Sequence, residues 1–262
     1  MSAEVMRLDL RLRRRMVLGC AIGIGLYAFL IVALYPAFKD DASLDALSQG
    51  SPTLAALFGA SGSLTSVEGW LNANLYANFV PLVSLLLTIG YGAAAIAGQD
   101  EDGILGLTAT LPISRRHILI QKTITLGLLA LVVPGTTLAC LVAGPNFQLT
   151  PDWSSTILTT LGTALLALDF GLLALSVGAL TESRGTALGV ASTAAAGAYL
   201  ISSLAPAVNW VHSIRWTSPF YWAVGNDQLT QGLGLGAAAA LVIVGGALCT
   251  AAAVGFERLD VH

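Results

Sequence analysis

Apolar residues along the chain gather into six long runs, near Met16 to Ala37, Leu75 to Gly98, Ile118 to Ala143, Ser154 to Leu180, Thr186 to Ala207 and Leu235 to Phe256. Each meets the length a spanning helix needs, roughly 20 residues at ~1.5 Å of rise to cross ~30 Å of hydrocarbon. Within lipid every backbone amide must find an internal partner, which selects helices for runs of this kind. None of the runs alternates with the period of two that a barrel strand would show. The pattern predicts an all-α integral membrane protein, residues 1 to 262 forming a single transmembrane domain with six transmembrane helices.

The first run is too long for the apolar core of a signal peptide, and it ends in Leu34-Tyr-Pro-Ala-Phe-Lys39 with no small-x-small cleavage site, so it is expected to remain as an anchor. Ahead of it, Val5, Leu8, Leu12 and Met16 recur at helical spacing while Arg7, Arg11, Arg14 and Arg15 gather opposite. That pattern fits an N-terminal interfacial helix lying at the membrane surface. The alternation of Leu8, Leu10 and Leu12 leaves a disordered basic tail as the other reading. Pro81 and Pro134 are expected to kink or open the second and third spans. Gly19-x-x-x-Gly23 and the glycines around the last span suggest close helix packing, within the chain or between chains.

Composition agrees with a membrane solvent. Charged residues make up 10% of the chain, hydrophobic residues 55%, and the mean hydropathy is +0.78, whereas an ordinary soluble domain is about a quarter charged. The net charge of -3 says little, because the placement of charges matters more than their sum. Of the 12 basic residues, Arg7, Arg11, Arg13, Arg14, Arg15, Arg115, Arg116, Lys122, Arg184 and Arg258 fall on one side of a six-span arrangement, and only Lys39 and Arg215 on the other. The positive-inside rule then makes both termini and the segment 99 to 117 cytoplasmic, with 38 to 74 and 208 to 234 outside, in a multi-pass protein of the cell membrane. Cys20, Cys140 and Cys249 lie in apolar runs without metal-type or paired spacing. Nothing in the charge pattern supports nucleic-acid binding.

No phosphate-binding Gly-x-x-x-x-Gly-Lys-Ser/Thr loop occurs, and His117, His212 and His262 are dispersed. No catalytic constellation is visible, so energy, if used, must come from a partner. Asp169, within Leu165-Leu-Ala-Leu-Asp-Phe-Gly171, falls near the centre of the fourth run, where a carboxylate costs ~2.5–3.5 kcal/mol on insertion scales. It must face protein or water, or be neutral. Either it bonds a neighbouring span, with Asn78, Ser84, Thr88, Thr136 and Thr137 as candidate partners, or it serves a translocation path or proton relay. Outside the spans, Glu68 to Ala77 carries Trp70, Asn72, Asn74 and Tyr76, Thr53 to Ala60 is a short apolar run, and Trp210, Trp216, Phe220, Tyr221 and Trp222 crowd together. These aromatics fit a belt at the headgroup level. The sharper alternative is an external gate on the exit of an amphiphilic substrate.

Between the second and third runs lies a polar island from Gln99 to Lys122. Asp100, Glu101 and Asp102 suit a helix N-terminus, Ile104, Leu107 and Leu111 share one apolar face, Pro112 stops the pattern, and Arg115 and Arg116 follow. Residue chemistry alone divides evenly between a rigid element gripped by a motor and a charged loop that only sets topology.

The island's order resembles the coupling segment of type-2 ATP-binding-cassette (ABC) transporter permeases, in Glu101, Gly103, Leu105, Leu107, Leu111, Pro112, Ser114, Arg115 and Lys122. The early Leu34-Tyr-Pro36 and the late Trp216-Thr-Ser-Pro-Phe-Tyr-Trp222 are also similar to that family, so the resemblance covers nearly the whole chain. Gly106 and Thr108 depart from it, standing where the family often has an acidic residue and a Leu. The resemblance implies a cytosolic coupling helix between the second and third spans and a separate ABC ATPase subunit that holds ATP and Mg. It also implies a second permease copy or related permease, and outward transport of a hydrophobic or amphiphilic drug, natural product or lipid. This chain would carry no cofactor, metal or catalytic residue of its own. An ion-coupled carrier using Asp169, or a membrane scaffold or sensor subunit, are the rival readings.

Overall fold

The computed structural model describes residues 4–41, 63–101, 115–225 and 228–258, with backbone only at 4, 5, 100, 115 and 258. Among the described residues, six helical stretches are long and apolar enough to cross a membrane. They are α1 (Glu4–Phe38), the stretch Val67–Gly98 built around α2 (Phe79–Ala93), α3 (Arg115–Leu141), α4 (Trp153–Thr181), α5 (Arg184–Leu204) and α6 (Leu235–Arg258). No strand occurs among the described residues. The all-α membrane architecture expected from the hydrophobic runs is therefore present.

The element boundaries differ from the sequence reading in two places, each with a local cause. The basic N-terminal stretch is not a separate interfacial element, because α1 runs unbroken from Glu4 into the first span. No glycine or proline interrupts residues 4 to 18, so the helical hydrogen bonds continue from the basic stretch into the apolar run. The second span begins earlier than expected and forms one continuous helical stretch from Val67 to Gly98. It opens with the short helix Val67–Leu71, capped by Ser66 Oγ accepting from the Gly69 N–H at 3.1 Å. A π-helical turn, Asn72–Tyr76, joins that helix to α2, and a second one, Ala94–Gly98, follows α2 immediately before the polar island. Such turns re-aim the side chains around them and are frequent near functional sites.

The two prolines act differently from each other. Pro81 stands in the first turn of α2, where a missing N–H removes little, whereas Pro134 is inside α3, which continues past it to Leu141.

Helix α4 is the axis of the bundle and packs against α2, α3, α5 and α6. The spans containing α2 and α4 are each 72% buried over their most apolar window, against 22%, 17% and 11% for those containing α1, α5 and α6. The outer three therefore present Ile22, Leu26 and Ile243 outward, a surface suited to lipid or another chain. Because lipid is as apolar as leucine, association inside the bundle depends on close packing, and α2 and α4 approach closely at Gly92 and Gly171. A Cβ on Gly92 would collide with the Gly171 carbonyl. By contrast, Gly19 and Gly23 meet nothing within 4 Å. A tight turn joins α4 to α5. Glu182 closes α4 in the left-handed region at φ 56°, and Ser183 caps α5 by accepting from the Thr186 N–H.

Candidate functional site

The end of the bundle that carries the N-terminus is built around a buried carboxylate. Asp9, on the first turns of α1, is 4% exposed. Its Oδ2 accepts from the Tyr91 hydroxyl of α2 at 2.7 Å and lies 3.8 Å from Lys122 Nζ of α3. Its Oδ1 accepts from Gln99 Nε2 at 3.3 Å, and Lys122 Nζ in turn donates to Gln99 Oε1 at 2.7 Å. Arg13, one turn along α1, places its guanidinium 5.0 Å from the centre of the Tyr91 ring. Each buried polar partner thus satisfies another, which is what a charge in a low-dielectric setting requires.

This cluster closes the base of the polar island. Gln99 stands at the island's entrance and Lys122 at its exit, and their side chains bond directly. Nearby, Gln121 Oε1 takes the Met6 N–H of the first turn of α1 at 3.1 Å, and Gln121 also bonds His117. Glu101 Oε1 accepts the Arg184 N–H of α5 at 2.8 Å, and Arg116 Nε donates to Glu257 Oε1 of α6 at 2.8 Å. The entrance and exit of the island are therefore tied to α1, α5 and α6 as well as to each other. Among the coupling residues expected from sequence, Glu101 and Arg116 take part in these ties. Asp102, Gly103, Ile104, Leu107, Leu111 and Pro112 lie outside the described residues, as do the side chains of Asp100 and Arg115.

Asp9, Tyr91 and Gln99 were not singled out by the sequence. Asp9 is the only acidic residue among five arginines between positions 7 and 15. That inversion of sign is the signal that could have marked it.

The second buried carboxylate, Asp169, sits midway along α4 and is also 4% exposed. Its Oδ2 has no hydrogen-bond partner among the described residues. The hydroxyls expected as partners are engaged with their own helices. Ser84 donates to the Val80 carbonyl, Thr88 to that of Ser84, Thr136 to that of Val132 and Thr137 to that of Val133, while Asn78 accepts from the Tyr199 hydroxyl. Back-bonding to the carbonyl four residues earlier satisfies a hydroxyl without a partner on another helix.

The aromatic residues at the opposite end differ in exposure. Trp210 and Trp216 are largely exposed, Phe220 and Tyr221 are buried, and Trp222 is half-buried. Arg215 organises part of the group, its guanidinium 5.3 Å from the Trp216 ring and 5.0 Å from the Tyr221 ring. Trp70 and Tyr76, also expected at the headgroup level, are buried instead. Trp70 donates to the Ile31 carbonyl at 3.1 Å, and Tyr76 shares a 2.8 Å hydrogen bond with Thr160. The run Thr53 to Ala60 lies outside the described residues.

The described residues include no group of three or more His, Cys, Asp or Glu arranged to hold a metal. Compared with known proteins, the chain matches no curated protein. Residues 3–260 match a family described as "ABC-2 family transporter protein". That match takes in all six apolar helices and both buried carboxylates, and the chain accordingly belongs to the ABC-2 transporter family as a membrane-spanning permease subunit.

Proposed function

We propose that this permease works with a separate ABC ATPase as an exporter, and that residues 99 to 117 are the cytosolic segment the ATPase grips. The carrying observation is the 2.7 Å hydrogen bond between Lys122 and Gln99, with Asp9 in contact with both. A force applied to the segment enters a base whose ends are locked together. It then passes to α1 through Asp9, to α5 through Glu101 and to α6 through Arg116. A loop that only set topology would need none of these ties.

The charge asymmetry supports a cytoplasmic location for both termini and this segment. Members of the family generally act with an ATPase subunit, which would hold ATP and Mg, and a second permease copy or related chain would complete the path. ATP binding draws the ATPase subunits together and opens the path outward. The apolar character of the bundle supports a hydrophobic or amphiphilic cargo, with Trp210, Trp216 and Trp222 near its outward end.

The test is co-purification from native membranes followed by an ATPase assay. Reversing Asp100, Glu101 and Asp102 to Lys is expected to abolish stoichiometric recovery of the ATPase and its stimulation. Unchanged recovery and activity would overturn the coupling assignment. The unpartnered oxygen of Asp169 favours one other reading, an ion-coupled carrier. Flux driven by a proton or sodium gradient without any ATPase would establish it.

A further inference from the structure

We propose that the cleft between α4, α5 and α6 binds an amphiphilic organic monocation, an apolar body carrying one protonated amine, with Asp169 as the counter-anion. The cleft has a volume of about 450 Å³, within the range of sites that take drug-sized molecules. Its walls come from Phe170 of α4, Ala198 and Ile201 of α5, and Val244 and Leu248 of α6, with Asp169 set among them. No Lys, Arg or His lines it.

A buried polar oxygen without a partner is a standing cost, and native proteins satisfy the great majority of such atoms. Here Asp169 lines an open apolar cleft, and its carboxyl group is nine-tenths or more buried at the cleft's wall with Oδ2 unpartnered. A protonated amine would supply the missing donor as a charge-assisted hydrogen bond, and the apolar walls would take the rest of the molecule. A neutral ligand gains only the walls, and an anion meets repulsion.

The neighbouring helix makes room for the carboxyl group itself. Gly245 of α6 packs against Asp169, and a methyl added there would lie 2.6 Å from Oδ1. On α5, Ala194, Gly197 and Ala198 keep the opposite wall low.

This inference deepens the transport reading by naming its cargo class, and rests on that reading for its purpose although not for its binding chemistry. The full chain in mild detergent is titrated with rhodamine 6G, a lipophilic monocation, and with Nile red, a neutral apolar dye, both followed by fluorescence anisotropy. Asp169→Asn is expected to weaken rhodamine 6G roughly tenfold or more, the worth of one lost charged hydrogen bond, while Nile red changes by less than about twofold. Val244→Trp, which fills the cleft from α6, is expected to weaken both dyes.

Equal affinity of rhodamine 6G for wild type and Asp169→Asn would overturn the proposal. So would failure of the wild type to bind it, the result expected if a cation of a second copy occupies the carboxylate. Should Asp169→Asn not fold, undiminished rhodamine 6G binding by Val244→Trp would overturn it. The ATPase takes no part in this assay, so a failed coupling test leaves these affinities untouched, and the reverse also holds.

Discussion

Asp9 and Asp169 are the same residue, buried to the same 4% exposure in the same bundle, yet their surroundings are opposite. Asp9 is met by Tyr91, Gln99 and Lys122 from α2, the island's entrance and α3. Asp169 meets apolar walls and leaves one oxygen unpaired. A carboxylate enclosed by donors holds helices in register, because removing any partner strands the others. One facing an apolar cleft adds nothing to the fold and remains available to something that enters. Burial alone does not separate structural from functional acids, but the state of their hydrogen bonds does.

The largest expected effect tests the satisfied side of this contrast. Lys122→Met leaves Asp9 without its counter-charge and should destabilise the chain by on the order of 3–5 kcal/mol, read as a fall in the melting midpoint in detergent. A loss under about 1 kcal/mol, typical of an exposed pair, would mean that the cluster does not lock the base. Tyr91→Phe removes one hydrogen bond to a charged group and should cost about 1.5–3 kcal/mol. The same variant should also blunt ATPase stimulation if the lock transmits force.

Asp169→Asn is predicted to leave stability within about 1 kcal/mol of wild type or to raise it, since no partner is stranded. A loss as large as that of Lys122→Met would erase the distinction between the two acids. The smallest effect belongs to an exposed acid that serves as a control. Asp152 caps α4, and hydrogen bonds from Ser155, its side chain first and its backbone N–H second, hold the carboxyl below its ordinary value. The cap's contribution is present above the unfolded carboxylate value, about 3.9, and disappears as pH falls through the lower folded value. Asp152→Ala should flatten that acid-side slope of a melting profile. An unchanged slope would show that the cap does not titrate with folding.

The run lengths and the basic bias are one-dimensional properties, so the six spans and the polar island could be read from residue order. Asp169 was equally visible, because a carboxylate inside an apolar run is an exception to a composition rule. Its lack of a partner was not, since hydroxyls such as Ser84 and Thr137 can bond either across helices or back along their own, and only packing chooses. Glycine spacing left the contacts within the chain open for a similar reason. Gly19 and Gly23 have the spacing of a packing motif but face outward from this chain, while Gly92 and Gly171, outside any such motif, meet where α2 and α4 pack closely. The aromatic residues divided too, Trp70 and Phe220 entering the interior and Trp210 staying out.

By itself the sequence determined the solvent, the number of apolar spans, and where the charged island between two of them lies, because each follows from hydropathy summed along the chain. The tertiary structure decided which residues meet, joining Asp9 to Gln99 across 90 positions and to Lys122 across a longer span, and leaving Asp169 at a cleft. Hydropathy is additive in residues, whereas hydrogen-bond satisfaction depends on which faces the helices turn toward one another.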